Sequence, residues 1–547
     1  MIQKIQSLWP EIVLFATACV VMVVGISPSV AVRRSCGVIA GLGLALAGLV
    51  AIDWPGPASS VVWPALAPYV KVLVAGVGVL LLLVLAGLPD REYEAAVAHG
   101  QRYDPIRANR AEFYAFFLFS IMGVMLVSGA EDLIWLFLAL ELTSLPTYIM
   151  VAISSSRNRS LEAGVKYFFL GALGAALFLY GFALLYGATG STNLETIRQV
   201  IAQQRLGSEA VNGVALAGAL LAVIGVGFKI AAVPMHFYTA DVYQGAASPV
   251  TAFLAFVPKT AGFVALILLL TTIGWGYGPS GQSLPEPIRT VLWVIAAMTM
   301  TVGNVLAVVQ SSVKRVLAYS SIAHSGYMLV GLVAGPGPAG APFARNGIAA
   351  ILFYLLCYGV MNLGAFAVMA SLERRSRSGA TEEADSIDDL RGLCTTRPML
   401  GWIMVVSAVG LLGMPPLLGF FGKLPLFTSG IGAGEIPLVV VLGINSAIAA
   451  YYYLRLAALA LLEDPDVTPV GGGLSENAPP GRKFAGFICA AAVIGLSALA
   501  WPLINLADGA AKYEPRLTPG SAVSAREAPI VPSADALTEP RAASGRP

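Results

Sequence analysis

Residues Gly225–Lys259 read GVGFKIAAVPMHFYTADVYQGAASPVTAFLAFVPK. The stretch is apolar enough to lie in a membrane, yet it holds two lysines close to prolines: Lys229 before Pro234, and Lys259 directly after Pro258. A lysine at bilayer centre costs about 2.5–3.5 kcal/mol on insertion scales. A proline inside a helix removes a backbone hydrogen bond and frees a carbonyl. In lipid, such losses are tolerated only where protein or trapped water repairs them. The stretch therefore reads as a broken transmembrane helix, a polar re-entry and a second helix with its own buried amine. Discontinuous helices at mid-membrane are where transporters hold their ions.

The surrounding chain has the composition of a membrane. Of 547 residues, 57% are hydrophobic and only 12% charged, against about 25% charged in soluble domains. The net charge of +2 and the lack of a basic cluster give no reason to expect nucleic acid. Five scattered cysteines (Cys19, Cys36, Cys357, Cys394, Cys489) and three distant histidines (His99, His236, His324) offer no CxxC or Cys/His spacing. Iron–sulfur, haem and zinc sites are not expected on this chain. Nor does it contain a GxxxxGK[ST] loop or a strand–GxGxxG–helix unit, so no nucleotide or nicotinamide site is expected. The apolar Leu8–Ile26 lacks a basic leader and an A-x-A cleavage site, and reads as a retained first helix.

A window of about 19 residues finds apolar spans near 8–26, 37–52, 70–88, 111–129, 132–153, 163–186, 212–233, 248–272, 290–309, 316–334, 346–371, 399–430, 437–462 and 484–506. The expectation is an all-α, polytopic membrane protein of about fourteen transmembrane helices. With the N-terminus outside, the inner loops collect Arg33 and Arg34, Arg91, Arg102, Arg107 and Arg110, Arg157 and Arg159, Lys314 and Arg315, Arg374, Arg375, Arg377, Arg391 and Arg397, and Arg482 and Lys483. The outer loops keep only Lys71, Arg198, Arg205, Arg289 and Arg345. That asymmetry fixes the orientation. A second break falls at Pro415-Pro416 in GLLGMPPLLGFFGKLPLF, followed by Lys423. Two broken spans, each with a buried lysine, suggest two inverted repeats of five helices, spans 4–8 and 9–13. The implied division is an N-terminal three-helix segment (1–110), a first repeat (111–272), a second repeat (289–462), a C-terminal helix (463–506) and a disordered tail (507–547).

Several charges stand where lipid should be. Glu141 lies in WLFLALELTSLPTYIMV, ahead of Pro146, and Glu162 and Lys166 lie one turn apart in SLEAGVKYFFLGALG. Lys229, Lys259, His324 and Lys423 complete the set. Burial drives a lysine toward its neutral form and a nearby carboxylate draws it back, so a buried Glu–Lys pair is a proton switch. Lysine suits the task because its proton affinity moves readily, whereas arginine stays charged. Small residues (Gly225, Gly227, Gly245, Ala246, Ala247) are expected to leave room for connecting water. Plainer readings stand beside these. Glu162 and Lys166 can be an ordinary i,i+4 pair, and Glu141–Lys229 a static pair. Lys259 can snorkel, Lys423 can lie near an outer helix end, and His324 can be a packing histidine. Asp241 and Tyr243 read as shaping the re-entrant loop, and Lys314 and Arg315 as inside-facing anchors.

The segments LELTSLPTYIMVA, LEAGVKYFFLGALGAALFLYGFALLYGATGS, GFKIAAVPMHFYTADVYQGAASPVTAFLAFVPK, KRVLAYSSIAHSGYMLVG and PPLLGFFGKLPLF resemble the antiporter-like membrane subunits of bacterial proton-pumping NADH:quinone oxidoreductase (complex I), subunit N most of all. That family is related to Mrp-type cation/proton antiporter subunits and to sister subunits L and M. DVYQGAASPVTAFLAFVPK and a lysine at position 423 favour N over M. The lateral helix of L has no counterpart here. The resemblance implies that Glu141, Lys166, Lys229, Lys259, His324 and Lys423 carry protons, with Glu162 as possible support and helix breaks at Pro234, Pro415 and Pro416. It implies no metal and no cofactor on this chain, quinone and NADH being used elsewhere in the complex. The partners are the other membrane and peripheral subunits, and the location is the bacterial inner (plasma) membrane. One departure is visible: Ser311-Ser312 stand where relatives often place an acid or amide before the Lys314–Arg315 pair. The polar loop Ser376–Asp389 is longer than typical and has no assigned role.

The sequence thus reads as a non-redox, proton-translocating subunit of NADH:quinone oxidoreductase. Protons enter near Lys166, are stored on Lys229 and Lys259 and leave through Lys423, while Glu141 sets the affinity of Lys229. Two rivals remain: an Mrp-type sodium/proton antiporter subunit and a non-pumping scaffold.

Overall fold

The computed structural model describes residues 6–53, 63–90, 93–94, 97, 100, 102, 104, 108–155, 158–207, 211–278, 282–338, 342–375, 381–464, 474–475 and 479–512. Its elements run α1 Trp9–Gly25, α2 Val30–Asp53, α3 Leu66–Leu85, α4 Arg110–Ser128, α5 Leu133–Ala152, α6 Asn158–Thr189 and α7 Leu194–Gly207. There follow α8 Gly213–Gly227, α9 Thr239–Gly245, α10 Ser248–Ile273, α11 Glu286–Val308, α12 Val313–Ala334 and α13 Gly347–Ser371. The chain continues with α14 Leu393–Thr396, α15 Pro398–Leu412, α16 Leu418–Gly432, α17 Ile436–Leu461, α18 Pro480–Ala498 and α19 Ala500–Ala510. Eleven of these are long and apolar enough to cross a membrane, and the shorter apolar α1, α8 and α15 add three more. Those fourteen match the fourteen spans read from the sequence. The last helix reaches Ala510, past residue 506, and the tail expected beyond it lies, from 513 on, outside the described residues.

Helices that are apolar all round are buried in protein or face lipid, and both kinds occur. Every residue of α10 is buried, and α12 and α13 are nearly so. By contrast α2, α6, α17 and α18 each keep an apolar face outward, as lipid-facing helices must. The two halves repeat one another in their neighbours: α4 packs on α5 as α11 packs on α12, and α10 on α4 as α17 on α11. In the same way α6 packs on α8, and α13 on α15 and α16. This is the arrangement expected of two five-helix repeats.

Both breaks fall where the prolines stand. α8 stops at Gly227 and helix resumes only at Thr239, with a cis Val233–Pro234 peptide and Ala231 at φ +56° between them. α15 is closed by Gly413 at φ +85° in the left-handed conformation that glycine adopts without cost. α16 starts after the cis Pro415–Pro416 bond. At the inner face, β1 Glu373–Arg375 pairs with β2 Thr381–Glu383 and β3 Leu474–Ser475 in a small antiparallel sheet. The sheet ties the loop after α13 to the loop after α17.

Candidate functional site

The site begins at the end of α8. Lys229 is 2% exposed just past the C-terminus of that half-helix, where unpaired carbonyls favour a cation. Its Nζ lies 3.1 Å from Glu141 Oε1 and donates to Ser144 Oγ and, at 3.4 Å, to the Leu140 carbonyl. All three partners belong to α5, with Glu141 and Ser144 on successive turns. α8 approaches α6 so closely that a Cβ on Gly225 would lie 2.4 Å from the Phe178 backbone nitrogen. Gly245 likewise faces the Arg159 carbonyl. These glycines were expected to leave room for water, but they serve helix-to-helix approach instead, because backbone rather than cavity occupies the space above them.

Lys259 lies at the centre of the fully buried α10 and is 1% exposed. It therefore does not snorkel. Its ammonium donates to the Ser321 carbonyl on α12 and sits 5.3 Å from the ring centroid of Tyr358 on α13. Among the described residues, no carboxylate pairs with it. Gly262, one turn further along α10, brings that helix against Lys229: a Cβ there would be 3.0 Å from Lys229 Cβ. The stem of Lys229 thus packs on α10 one helical turn from the position of Lys259.

From Lys259 the polar groups follow one stripe of α12, at Ser320/Ser321, His324 and Tyr327. Ser321 Oγ accepts from Tyr358 OH at 2.9 Å and lies 3.3 Å from Tyr243 OH. His324, fully buried, places Nδ1 2.6 Å from Tyr354 OH and Nε2 2.7 Å from Tyr453 OH. Tyr453 also bonds Ser320. A neutral imidazole has one donor and one acceptor nitrogen. One tyrosine therefore donates to the ring and the other accepts from it, and an exchange of roles would carry a proton across. Tyr327 stands edge-on to His324 at 5.4 Å and holds Lys423 Nζ 5.2 Å above its ring. Lys423 is buried and donates to the Leu412 carbonyl at 2.7 Å. That carbonyl ends the half-helix α15; Lys423 itself stands on α16, after the break, whereas Lys229 directly follows α8, before its break. Behind the stripe, Asn304, Asn445, Tyr452 and Tyr327 form a further buried hydrogen-bonded group.

Lys166 lies apart. It pairs with Glu162 at 2.8 Å and Asp241 at 3.2 Å, and is 44% exposed. It makes no contact with Lys229. Asp241 also takes Arg315 at 2.9 Å. Burial works to raise the Asp241 carboxyl, but hydrogen bonds from Arg315 and Lys166 and the charges behind them hold it below the usual carboxylate range. Lys314, expected as an inside-facing anchor, is 5% exposed and pairs with Glu383 at 2.8 Å. The long inner loop thereby acquires a place. Glu383 accepts from Ser248 N at 2.9 Å and Ser248 Oγ at 3.0 Å, at the start of α10. Asp385 accepts from Ser312 Oγ at 2.7 Å and Lys314 N at 2.9 Å, at the start of α12. The acid absent at 311–312 comes instead from across the loop.

Sequence reading missed Ser144, Ser321, Tyr354, Tyr358 and Tyr453. A signal existed for some of them: Ser320/Ser321, His324 and Tyr327 recur at helical spacing inside an apolar span, and Tyr354 and Tyr358 are four apart. Asn362, one turn inward of Tyr358, was missed as well. It is 1% exposed, and among the described residues neither its amide nitrogen nor its oxygen has a partner.

Residues 130–449 match the family model for NADH:quinone oxidoreductase/Mrp antiporter transmembrane proteins. The chain is 40% identical over 377 residues to "NADH-quinone oxidoreductase subunit N" of Trichlorobacter lovleyi, covering 69% of this chain and 72% of that one. It is 37% identical over 465 residues to "NADH-quinone oxidoreductase subunit N 1" of Sorangium cellulosum, covering 84% and 87%. Among solved structures it is similar to a chain of respiratory complex I from Thermus thermophilus, with TM-score 0.71 and 30% identity, covering 91% of this chain and all of that one. A chain of the Mrp complex from Dietzia sp. DQ12-45-1b shares the fold at TM-score 0.72 and 19% identity, covering 93% and 97%.

Proposed function

We propose, starting from the fact that the chain belongs to the NADH:quinone oxidoreductase/Mrp antiporter family of membrane subunits, that it is the N-type subunit of a bacterial complex I and carries protons outward across the plasma membrane. Quinone reduction elsewhere in that complex supplies the drive. NADH and quinone are handled by other subunits, and this chain contributes no redox step.

The observation that supports the reading is the set of three buried amines, Lys229, Lys259 and Lys423, with Ser321, His324 and tyrosine hydroxyls lying between Lys259 and Lys423. Glu141 is the switch. While it faces Lys229 it favours the ammonium; drawn toward a neighbouring subunit, it leaves Lys229 a stronger acid, which hands its proton toward Lys259. Side chains and intervening water carry the charge along α12 to Lys423, beside the carbonyl end of α15. Lys166, with Glu162 and Asp241, gathers protons at the inner face.

A sodium/proton antiporter is the less supported alternative. Sodium calls for a cage of oxygens, and this row offers amines. Among the described residues no cluster of three or more His, Cys, Asp or Glu is poised to hold a metal ion. The test is substitution in the intact complex. Lys229→Ala and Lys259→Ala each assemble and keep quinone-reductase activity that uncoupler does not raise, but lose most proton pumping, measured as acidification of inverted vesicles per NADH oxidised. Lys259→Arg fails in the same way, since arginine does not release its proton. Full pumping by either alanine variant leaves the scaffold reading standing.

A further inference from the structure

Away from the amine row, a groove of about 1040 Å³ opens between α2 and α3. It follows α2 from Val30 to Ala45, about 22 Å at 1.5 Å per residue, and so runs deeper than one leaflet's share of about 15 Å of hydrocarbon. Its long walls are apolar. Gly37, Gly41 and Ala45, four residues apart, give it a smooth floor along α2. Its charges gather at one end, the end assigned to the inner face, where Arg34, Glu94 and Arg110 line it.

Those charges crowd one carboxylate. Glu94 takes Arg110 at 2.9 Å, Arg34 at 3.4 Å and the buried Arg33 at 3.9 Å, so three guanidiniums share it. Asp90, nearby, is occupied by the backbone amides of Asn109 and Arg110 at 2.9 and 3.0 Å. Arg110 is 6% exposed, and among the described residues its Nε has no acceptor. Arg34 is 67% exposed beside it. A buried donor without an acceptor costs about 1–3 kcal/mol, and guanidinium is the side chain best fitted to phosphate oxygens.

We infer that this groove is a binding site for one anionic phospholipid of the inner leaflet. Its phosphodiester lies between Arg34 and Arg110 Nε, and an acyl chain lies along the Gly37–Gly41–Ala45 floor. A helix of a neighbouring subunit would fill the apolar walls but leave the guanidinium end without its anion. Basic pockets between transmembrane helices at the cytoplasmic side are where anionic head groups bind.

Two variants test this in the assembled complex, and both residues lie outside the amine row. Arg34→Gln removes an exposed charge. Gly41→Leu fills the groove where there is room, since the atom nearest a Cβ at that position is 4.0 Å away. Complex purified into nanodiscs of phosphatidylglycerol or phosphatidylcholine is read by native mass spectrometry and by density in the groove. Wild type should retain one phosphatidylglycerol more than Gly41→Leu and show lipid density there. Arg34→Gln should lose preference for phosphatidylglycerol over phosphatidylcholine at least threefold. Equal lipid counts and selectivity in all three proteins, or a protein helix in the groove, overturns the assignment.

Discussion

At the scale of single residues, the chain places positive charge where lipid would forbid it and compensates each charge with oxygen. Lys229 has a carboxylate and a hydroxyl, Lys423 has the carbonyl end of a half-helix, and Lys259 has a carbonyl and an aromatic face. Lys259, like Lys423 over Tyr327, has no carboxylate partner among the described residues, so both depend on their surroundings more than Lys229 does. Asn362 bears on this. It shares a face of α13 with Tyr358, one turn outward, and Phe366, one turn inward and packed on Tyr243. An amide left without partners at this depth is costly, so replacing it with leucine of similar size should leave thermal stability equal or higher. If the amide serves the chain of groups leading to Lys259, Asn362→Leu will lower vesicle acidification several-fold with quinone reduction retained, and Asn362→Gln will restore part of it. Unchanged acidification reduces Asn362 to packing.

Among the elements, the inner loop has the clearest consequence. Glu383 joins Lys314 on α12 to the first residue of α10, and Asp385 binds the start of α12 beside it. Burial acts to raise the Glu383 carboxyl, but the charge of Lys314 and hydrogen bonds from Lys314 and Ser248 outweigh it and hold the group below its ordinary value. A carboxyl lowered by folding stabilises the fold above its unfolded value of about 4.3, and that contribution disappears as pH falls through the lower folded value. Glu383→Gln should therefore lower thermal stability at neutral pH, by up to about 3 kcal/mol because it leaves Lys314 buried without its counter-charge. The gap from wild type should close as pH drops below about 4. A gap constant with pH rules the ion pair out as its cause. This loop also marks where sequence reading stops. Its length was visible, but the acids at 383 and 385 meet residues 135 and 71 positions earlier, at the starts of α10 and α12, and hydropathy carries no information about such a pairing. The spans, their breaks and the lysines were legible because lipid punishes charge and proline so heavily that each exception stands out. Hydroxyl partners such as Tyr354 and Tyr453 did not stand out, since a tyrosine in an apolar helix is unremarked until its oxygen finds the histidine.

For the whole molecule, two repeats each contribute one broken helix, and the row of amines runs between the breaks. Amines are poor ligands for sodium, which calls for oxygens. Pumping driven by NADH oxidation should accordingly be the same in potassium as in sodium medium, with no uptake of radioactive sodium into inverted vesicles. Sodium-dependent acidification would favour the antiporter alternative instead. The loop that fastens α10 to α12 at the inner face has one more consequence. Helices riveted together at one end, with the broken helix held to the same spot through Gln244 and Asp385, are poorly placed to swing apart like the two leaves of a rocker. If protons move as proposed, what is left to travel is the long, jointed arm of each lysine, less a door than a line of people passing a parcel from hand to hand.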